Sequence, residues 1–384
     1  MRPRALILAA AALAWFPQPL SAQIRDPLKV QEGREEKLKL RGSKAYYSER
    51  WNLDDLPVYT AKQKVSGVIR QWGSNYFADS SLGQRWEEGF KKYHSGISFQ
   101  DELKTALAGI PALTFGIADV AALRHITSDE TLLYQRYHSS WPVEITVVTG
   151  SLNVPGWSYA IGIFVHRDNP LSKLRIDQLD GIFGAQRSGA FQGTEWNTAV
   201  ARGPEKNIRN WGQLGLTGDW ANKPIHVYGY NLRYHIPATF ERLVFQGGAK
   251  WNEQLVEFTN YKNAGGSTEL EAKQVVDAVA QDPLGIGYSS IAFLTPGTKA
   301  LAIAARGSDK YVELNLQTLR SREYPLADEV YFYVRRDPGR PLDPKVKEYL
   351  RYVLSREGQD AVQKDGKYLP LPARIVAEQL KRLE

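Results

Sequence analysis

Asp282-Pro-Leu-Gly-Ile-Gly-Tyr-Ser-Ser290, Tyr324-Pro-Leu-Ala-Asp-Glu-Val-Tyr-Phe-Tyr-Val334 and Lys367-Tyr-Leu-Pro-Leu-Pro372 are the stretches that decide the fold. The first is a tight glycine turn feeding a short strand, and the second a prolyl turn feeding a strongly apolar strand. Between the second and third, Val346, Leu350, Val353, Leu354, Ala361 and Val362 predict one apolar helix face that stops at Gly366. No residue here has the look of a catalyst. The segment reads as scaffold.

Working outward from it, short strands alternate with amphipathic helices. Val65-Ser-Gly-Val-Ile-Arg-Gln-Trp72 predicts a strand ending in Gly73-Ser74, and Leu82, Trp86, Phe90 and Tyr93 then follow at helical spacing. A strand is expected around Leu113-Thr-Phe-Gly-Ile117, ending at Ala118-Asp119, with others at Glu144 to Thr149, Ala160 to Val165 and Ile225 to Tyr228. Ile176, Leu179, Ile182 and Phe183 line a helix stopped by Gly184, and Pro237 is placed to start another. Thr268 and Glu271 have capping-box spacing ahead of Val275, Val276 and Val279. Residues 186–223, rich in Gly, Asn, Gln and Trp, read as a surface insertion. Alternating strands and helices predict α/β layers.

The amino terminus reads Met-Arg-Pro-Arg, then an uncharged apolar run from Ala5 to Phe16, then Pro19-Leu-Ser-Ala22. That is the layout of a secretory signal peptide, and the run is too short to span a bilayer. The remaining chain is expected to be a soluble monomer in the periplasm. The 384 residues contain no Cys, so an exported protein must rely on its core, most naturally as two domains. The formal charge of +7 is spread along the chain, which suits a small anionic ligand and excludes nucleic acid as the expected partner. Residues 23–64 are polar and read either as a leader or as an extension wrapped on the body through Tyr46, Tyr47 and Trp51.

Enzyme signatures are missing. The six His are scattered without metal-ligand spacing, and neither a phosphate loop nor a nucleophile elbow is present. No metal, cofactor or catalytic residue is expected. The chemistry then falls to loops after strands, where open α/β sheets bind ligands. Ser74 and Asn75 follow a strand and offer donors at a helix start, although such a pair also serves as an ordinary cap. Asp119 is read as a strand-ending acceptor or an ordinary cap, and Arg233 as a guanidinium able to clamp an oxyanion or a solvated loop arginine.

In order and spacing these pieces resemble the phosphate-binding proteins of bacterial ABC importers, within the type II periplasmic binding-protein superfamily. The resemblance runs from about Val65 to Pro372. It includes Gly73-Ser74, Phe115-Gly-Ile-Ala-Asp119, Asn169-Pro170 with the following Leu-rich helix, Gly285-Ile-Gly-Tyr-Ser289 and Ser355-Arg-Glu-Gly-Gln359. It implies a two-lobed α/β fold with central mixed sheets flanked by helices and a ligand cleft at the hinge. The expected division is 65–162 plus 289–384 for lobe I and 163–288 for lobe II, after a 1–22 signal and a 23–64 extension.

The resemblance further implies that Ser74 and Asn75 bind ligand oxygens, that Ser98 adds a contact, and that Asp119 accepts a hydrogen bond from a protonated phosphate. Sulfate, which has no such proton, would be rejected. In the second lobe the family carries an Arg followed by a Ser-Gly-Thr helix opening. Here Asn231-Leu-Arg-Tyr-His-Ile-Pro-Ala-Thr239 stands in that place, with Arg233 and Thr239 as substitutes. The implied role is capture of inorganic phosphate or a similar oxyanion for a permease in the inner membrane. The alternatives are a phosphorylated organic molecule or sugar in the same fold, or a ligand-free envelope sensor or interaction module.

Overall fold

The computed structural model describes residues 27–39, 46–154 and 156–384. The expected signal segment lies outside the described residues. Helix α1 (Pro27–Lys39) precedes the body. The first sheet is then laid down by β1 (Gly67–Gly73), α2 (Leu82–Lys91), β2 (Ile97–Glu102), α3 (Gly109–Thr114), β3 (Val120–Leu123), α4 (Ser128–His138) and β4 (Val143–Thr149).

The chain next leaves for a second sheet. Its elements are β5 (Gly162–His166), β6 (Lys173–Arg175), α5 (Ile176–Phe183), the hairpin β7 (Ala190–Gln192) and β8 (Glu195–Asn197), then β9 (His226–Tyr230) and α6 (His235–Val244). They continue with β10 (Val256–Phe258), β11 (Tyr261–Lys262), β12 (Thr268–Glu269), α7 (Glu271–Gln281) and β13 (Gly285–Ser289). β14 (Thr298–Ala300), β15 (Ala302–Ala304), β16 (Tyr311–Val312) and α8 (Leu316–Arg320) close this part. The chain returns through β17 (Glu329–Val334) and finishes in α9 (Pro344–Val353), α10 (Arg356–Asp365) and α11 (Ala373–Arg382).

Sheet order is β2-β1-β3-β17-β4 in one lobe and β10-β9-β13-β5-β14 in the other. β1, β2 and β3 run parallel, while β17 slots in antiparallel to both β3 and β4. These are the mixed sheets expected of two lobes. The return point differs from expectation. A return at residue 289 is too early: β14 pairs with β5 and β15 with β6, so the second lobe keeps the chain until β17.

The helices form where apolar spacing demands them. In α2, Leu82, Trp86 and Phe90 are fully buried on one face, and each contributes about 1.5–3 kcal/mol by leaving water. The Trp86 indole N–H donates to the Gly358 carbonyl at 2.8 Å and ties α2 to α10.

Local readings fail in four places. Residues 113–117 form the end of α3 and a turn, and the strand begins only after Asp119. Helix α6 begins at His235, two residues before Pro237. Thr268 lies in β12, and the first amide of α7 is served instead by the Asn260 side chain (3.1 Å from Glu271 N). The long C-terminal helix breaks into α9 and α10 because the Ser355 hydroxyl caps a new start by accepting from Gly358 N.

The described part of the amino-terminal extension is packed on the body. Tyr46 and Tyr47 amides donate to the Gly366 carbonyl at 2.8 and 2.9 Å, and Trp51 N donates to Gln363 Oε1 at 2.9 Å. The Tyr59 hydroxyl donates to Glu348 at 2.7 Å and sits 2.7 Å from His94 Nε2. Helix α1 rests on the second lobe, its Gly33 against the Tyr261 backbone.

Candidate functional site

Register places the carboxyl ends of β1, β3 and β4 and the start of β17 on one edge, since Gly73 pairs with Ala122, Leu123 with Tyr331, and Thr149 with Glu329. Both crossovers leave from this edge. They are tied to each other by Gly150 N to Asp328 O and Ile161 N to Leu326 O, each 2.9 Å. The cleft therefore lies between this edge and the carboxyl ends of β9, β10 and β13.

At the end of β1, Gly73 has φ +138°, and a Cβ there would lie 2.1 Å from the Ala122 carbonyl oxygen. Only glycine fits. Ser74 N donates to that same carbonyl at 2.7 Å, which fixes the serine, and its Oγ accepts from Tyr76 N at 3.3 Å. The serine proton is left to donate. Asn75 donates its amide to Asp79 at 2.6 Å within an isolated turn, and α2 starts only at Leu82.

At the end of β3, Arg124 grips Glu130 in bidentate fashion at 2.8 and 3.2 Å. Glu130 also closes the capping box of α4 with Thr127. His125 Nδ1 is 2.9 Å from Glu144. Burial alone would raise the Glu144 pKa, but His125, the Tyr333 hydroxyl and Arg382 hold its carboxyl below the usual range. Beyond β2, the Thr105 hydroxyl caps a short turn by accepting from Leu107 N.

Across the cleft, β9 ends at buried Tyr230, whose hydroxyl is shared between Tyr159 and Ser289 at 2.8 Å each. Burial drives its pKa well up. Two α6 residues reach the second crossover: Thr239 Oγ1 donates to Asp328 Oδ1 at 3.5 Å, and Arg242 Nη2 is 3.8 Å from the same oxygen. Asp328 is fully enclosed and burial pushes its carboxyl up to about 6, opposed by Arg242 and by the Ser158 and Thr239 hydroxyls. Its Oδ2, and Nε and Nη2 of Arg242, have no hydrogen-bond partner among the described residues.

The expected site residues divide accordingly. Ser74 and Asn75 stand on the cleft edge, and Arg233 and Thr239 on the facing lobe. Arg233 is exposed in a turn, where its amide donates to Asn231 Oδ1 at 3.2 Å. Ser98 is not at the cleft: it is exposed on edge strand β2 opposite Val68, five residues short of the level of Gly73. Asp119 is at the entering end of β3, next to Arg70, which binds it at 2.9 and 3.1 Å, with Lys345 at 3.5 Å. Three residues of strand, about 10 Å, separate it from the Ala122 level. The misplaced strand at 113–117 is the cause, since it turned a strand entrance into an exit. Sequence reasoning missed Arg242 and Asp328. Helical spacing from Thr239 to Arg242 was the available signal for the first; for the second it was the prolyl turn before β17.

A profile of the PBP superfamily domain matches residues 69–357. The phosphate-binding protein PstS of Pseudomonas aeruginosa is 32% identical over 328 residues, covering 85% of this chain and 90% of that protein. A PstS structure from Borrelia burgdorferi superposes with a TM-score of 0.51 at 14% identity, over 81% of this chain and 100% of that one. An ABC-type phosphate transport receptor from Vibrio cholerae gives 0.47 at 17% identity, over 79% and 100%. The chain belongs to the PBP superfamily, the class its two sheets and paired crossovers define. Within it, the chain is a divergent PstS-like member.

Proposed function

We propose that this protein is a periplasmic solute receptor that captures phosphate, or a related oxyanion, in the cleft between its lobes. It delivers that anion to an ABC permease in the inner membrane, reaches the periplasm through the 1–22 signal, and works as a monomer without a chemical step. The observation that carries the reading is the likeness to PstS across both lobes. The fixed Ser74 hydroxyl at the end of β1 supports it locally, because a positioned donor replaces part of an anion's water shell. Calorimetry with phosphate, arsenate, sulfate and simple organophosphates tests it. Phosphate heat that weakens with Ser74→Ala supports the reading, and no heat with any oxyanion sinks it.

One observation favours a second reading. The second lobe meets the cleft with tyrosine and turn residues: Tyr230 is buried with its hydroxyl spent, and Arg242 is turned toward Asp328. A larger, less charged ligand such as a phosphorylated organic molecule or sugar would suit such a wall. Heat from an organophosphate alone would select it. Without heat from either class, the remaining reading is an envelope interaction module.

A further inference from the structure

The insertion carries the hairpin β7–β8, in which Ala190 pairs with Asn197, Phe191 with Trp196 and Gln192 with Glu195. Its tip, Gly193, has φ +61°, the left-handed region that glycine enters freely. A Cβ on Gly193 would lie 2.2 Å from Cη2 and 2.3 Å from Cζ2 of Trp141. The outer edge of a first-lobe indole thus lies against bare backbone of the second lobe. Trp141 lies two residues before β4 and keeps 52% of its surface in water.

The root of the hairpin is fixed to its own lobe. Arg187 and Arg202 exchange backbone hydrogen bonds at 2.9 Å, and their guanidinia converge on buried Asp180 at 2.7 to 3.1 Å. Gly247, just past α6, packs on the Phe191 carbonyl. A movement of the lobe must therefore move the tip.

We infer that this hairpin is a clasp that holds the two lobes in their present arrangement by seating Trp141 on Gly193. Leverage favours it. The crossovers meet at Thr149 and Asp328, and Val143 at the start of β4 lies about 20 Å away at roughly 3.3 Å per residue. A hinge rotation of about 20° would shift the tip by about 7 Å, enough to break the contact outright. The polar contacts of Thr239 and Arg242 with Asp328, at 3.5 and 3.8 Å beside the hinge, resist rotation far less. Any exchange between lobe arrangements must release the tryptophan.

The inference does not depend on the ligand and is tested without one. The chain has no Cys, so Val58→Cys on the first lobe and Leu294→Cys on the second, 57% and 46% exposed, accept spin labels uniquely. Pulsed electron resonance then reads the interlobe distance in Trp141→Ala and Gly193→Val backgrounds. Trp141→Ala removes a ring already half in water, so the fold survives, and circular dichroism with melting curves checks both variants. The expected result is that both shift the ratio of distance populations by about tenfold or more in the same direction. Wild-type distributions in both variants overturn the clasp. A change in Gly193→Val alone reports a rebuilt hairpin and overturns it too, and a change in Trp141→Ala alone overturns Gly193 as the seat.

Discussion

Asp180 and Asp328 are both about 1% exposed, yet they are treated in opposite ways. Asp180 lies inside the second lobe and receives Arg187 on both oxygens at 2.7 Å, Arg202 at 3.1 Å and Arg306 at 3.2 Å. Asp328 lies between the lobes and is met by a single cation, Arg242 at 3.8 Å, and by the Ser158 and Thr239 hydroxyls, the latter at 3.5 Å. Within a lobe, the buried charge is saturated with partners. Between lobes it is left loose, which keeps the cost of separating the partners low. The contrast separates a tightly neutralised charge inside one lobe from a weakly held one at the junction.

The strongest test of that contrast is Asp180→Ala. It strands three arginines at one point, and breaking a buried charge network of this kind costs about 3–5 kcal/mol. Urea unfolding at pH 7 should show that loss. A midpoint within error of wild type would mean that the cluster is not the anchor it resembles.

Asp328→Asn should act with the opposite sign. The folded-state pKa of about 6 is above the unfolded value, so the folded protein holds this proton more tightly. Stability tied to the group is greatest below about pH 4 and is lost as pH rises through about 6, amounting to about 3 kcal/mol at neutral pH. The asparagine variant should therefore melt higher than wild type at pH 7.5 and match it at pH 4. Equal melting temperatures at both pH values would show Asp328 to be better satisfied than its geometry indicates.

Smaller effects concern the cleft. On the proposed reading, Ser74→Ala removes one charge-assisted hydrogen bond to the anion, worth about 1.5–3 kcal/mol, so the calorimetric Kd for phosphate should rise by about tenfold or more. Ser98→Ala, on the outer edge strand, should change neither Kd nor melting temperature by more than measurement error. A clear loss of affinity there would put the anion on a different edge of the sheet.

Much of the fold was legible because local pattern and tertiary packing agree. The period of Leu82, Trp86 and Phe90 names the buried face of α2, and Gly73-Ser74 names the end of β1. The site was legible only where a local signal coincided with the cleft edge. Asp119 was misread because Leu113 to Ile117 is apolar enough for a strand, whereas Gly109 to Thr114 closes a helical turn beneath β3. No local feature could distinguish the two. Arg242 and Asp328 meet only because α6 lies against the second crossover, a long-range pairing that spacing along the chain does not encode. Trp141 on Gly193 is invisible for the same reason.

The position of β17 has a consequence for how the molecule is made. This strand, Glu329–Val334, occupies the slot between β3 and β4, elements completed some 180 residues earlier in the chain. Until it arrives, β3 and β4 have nothing between them, and the first lobe can be only a three-stranded fragment with a raw edge. Contacts of such sequence separation form slowly. The amino-terminal half therefore leaves the ribosome unable to fold to completion, and the first lobe closes only once the chain has been made as far as Val334.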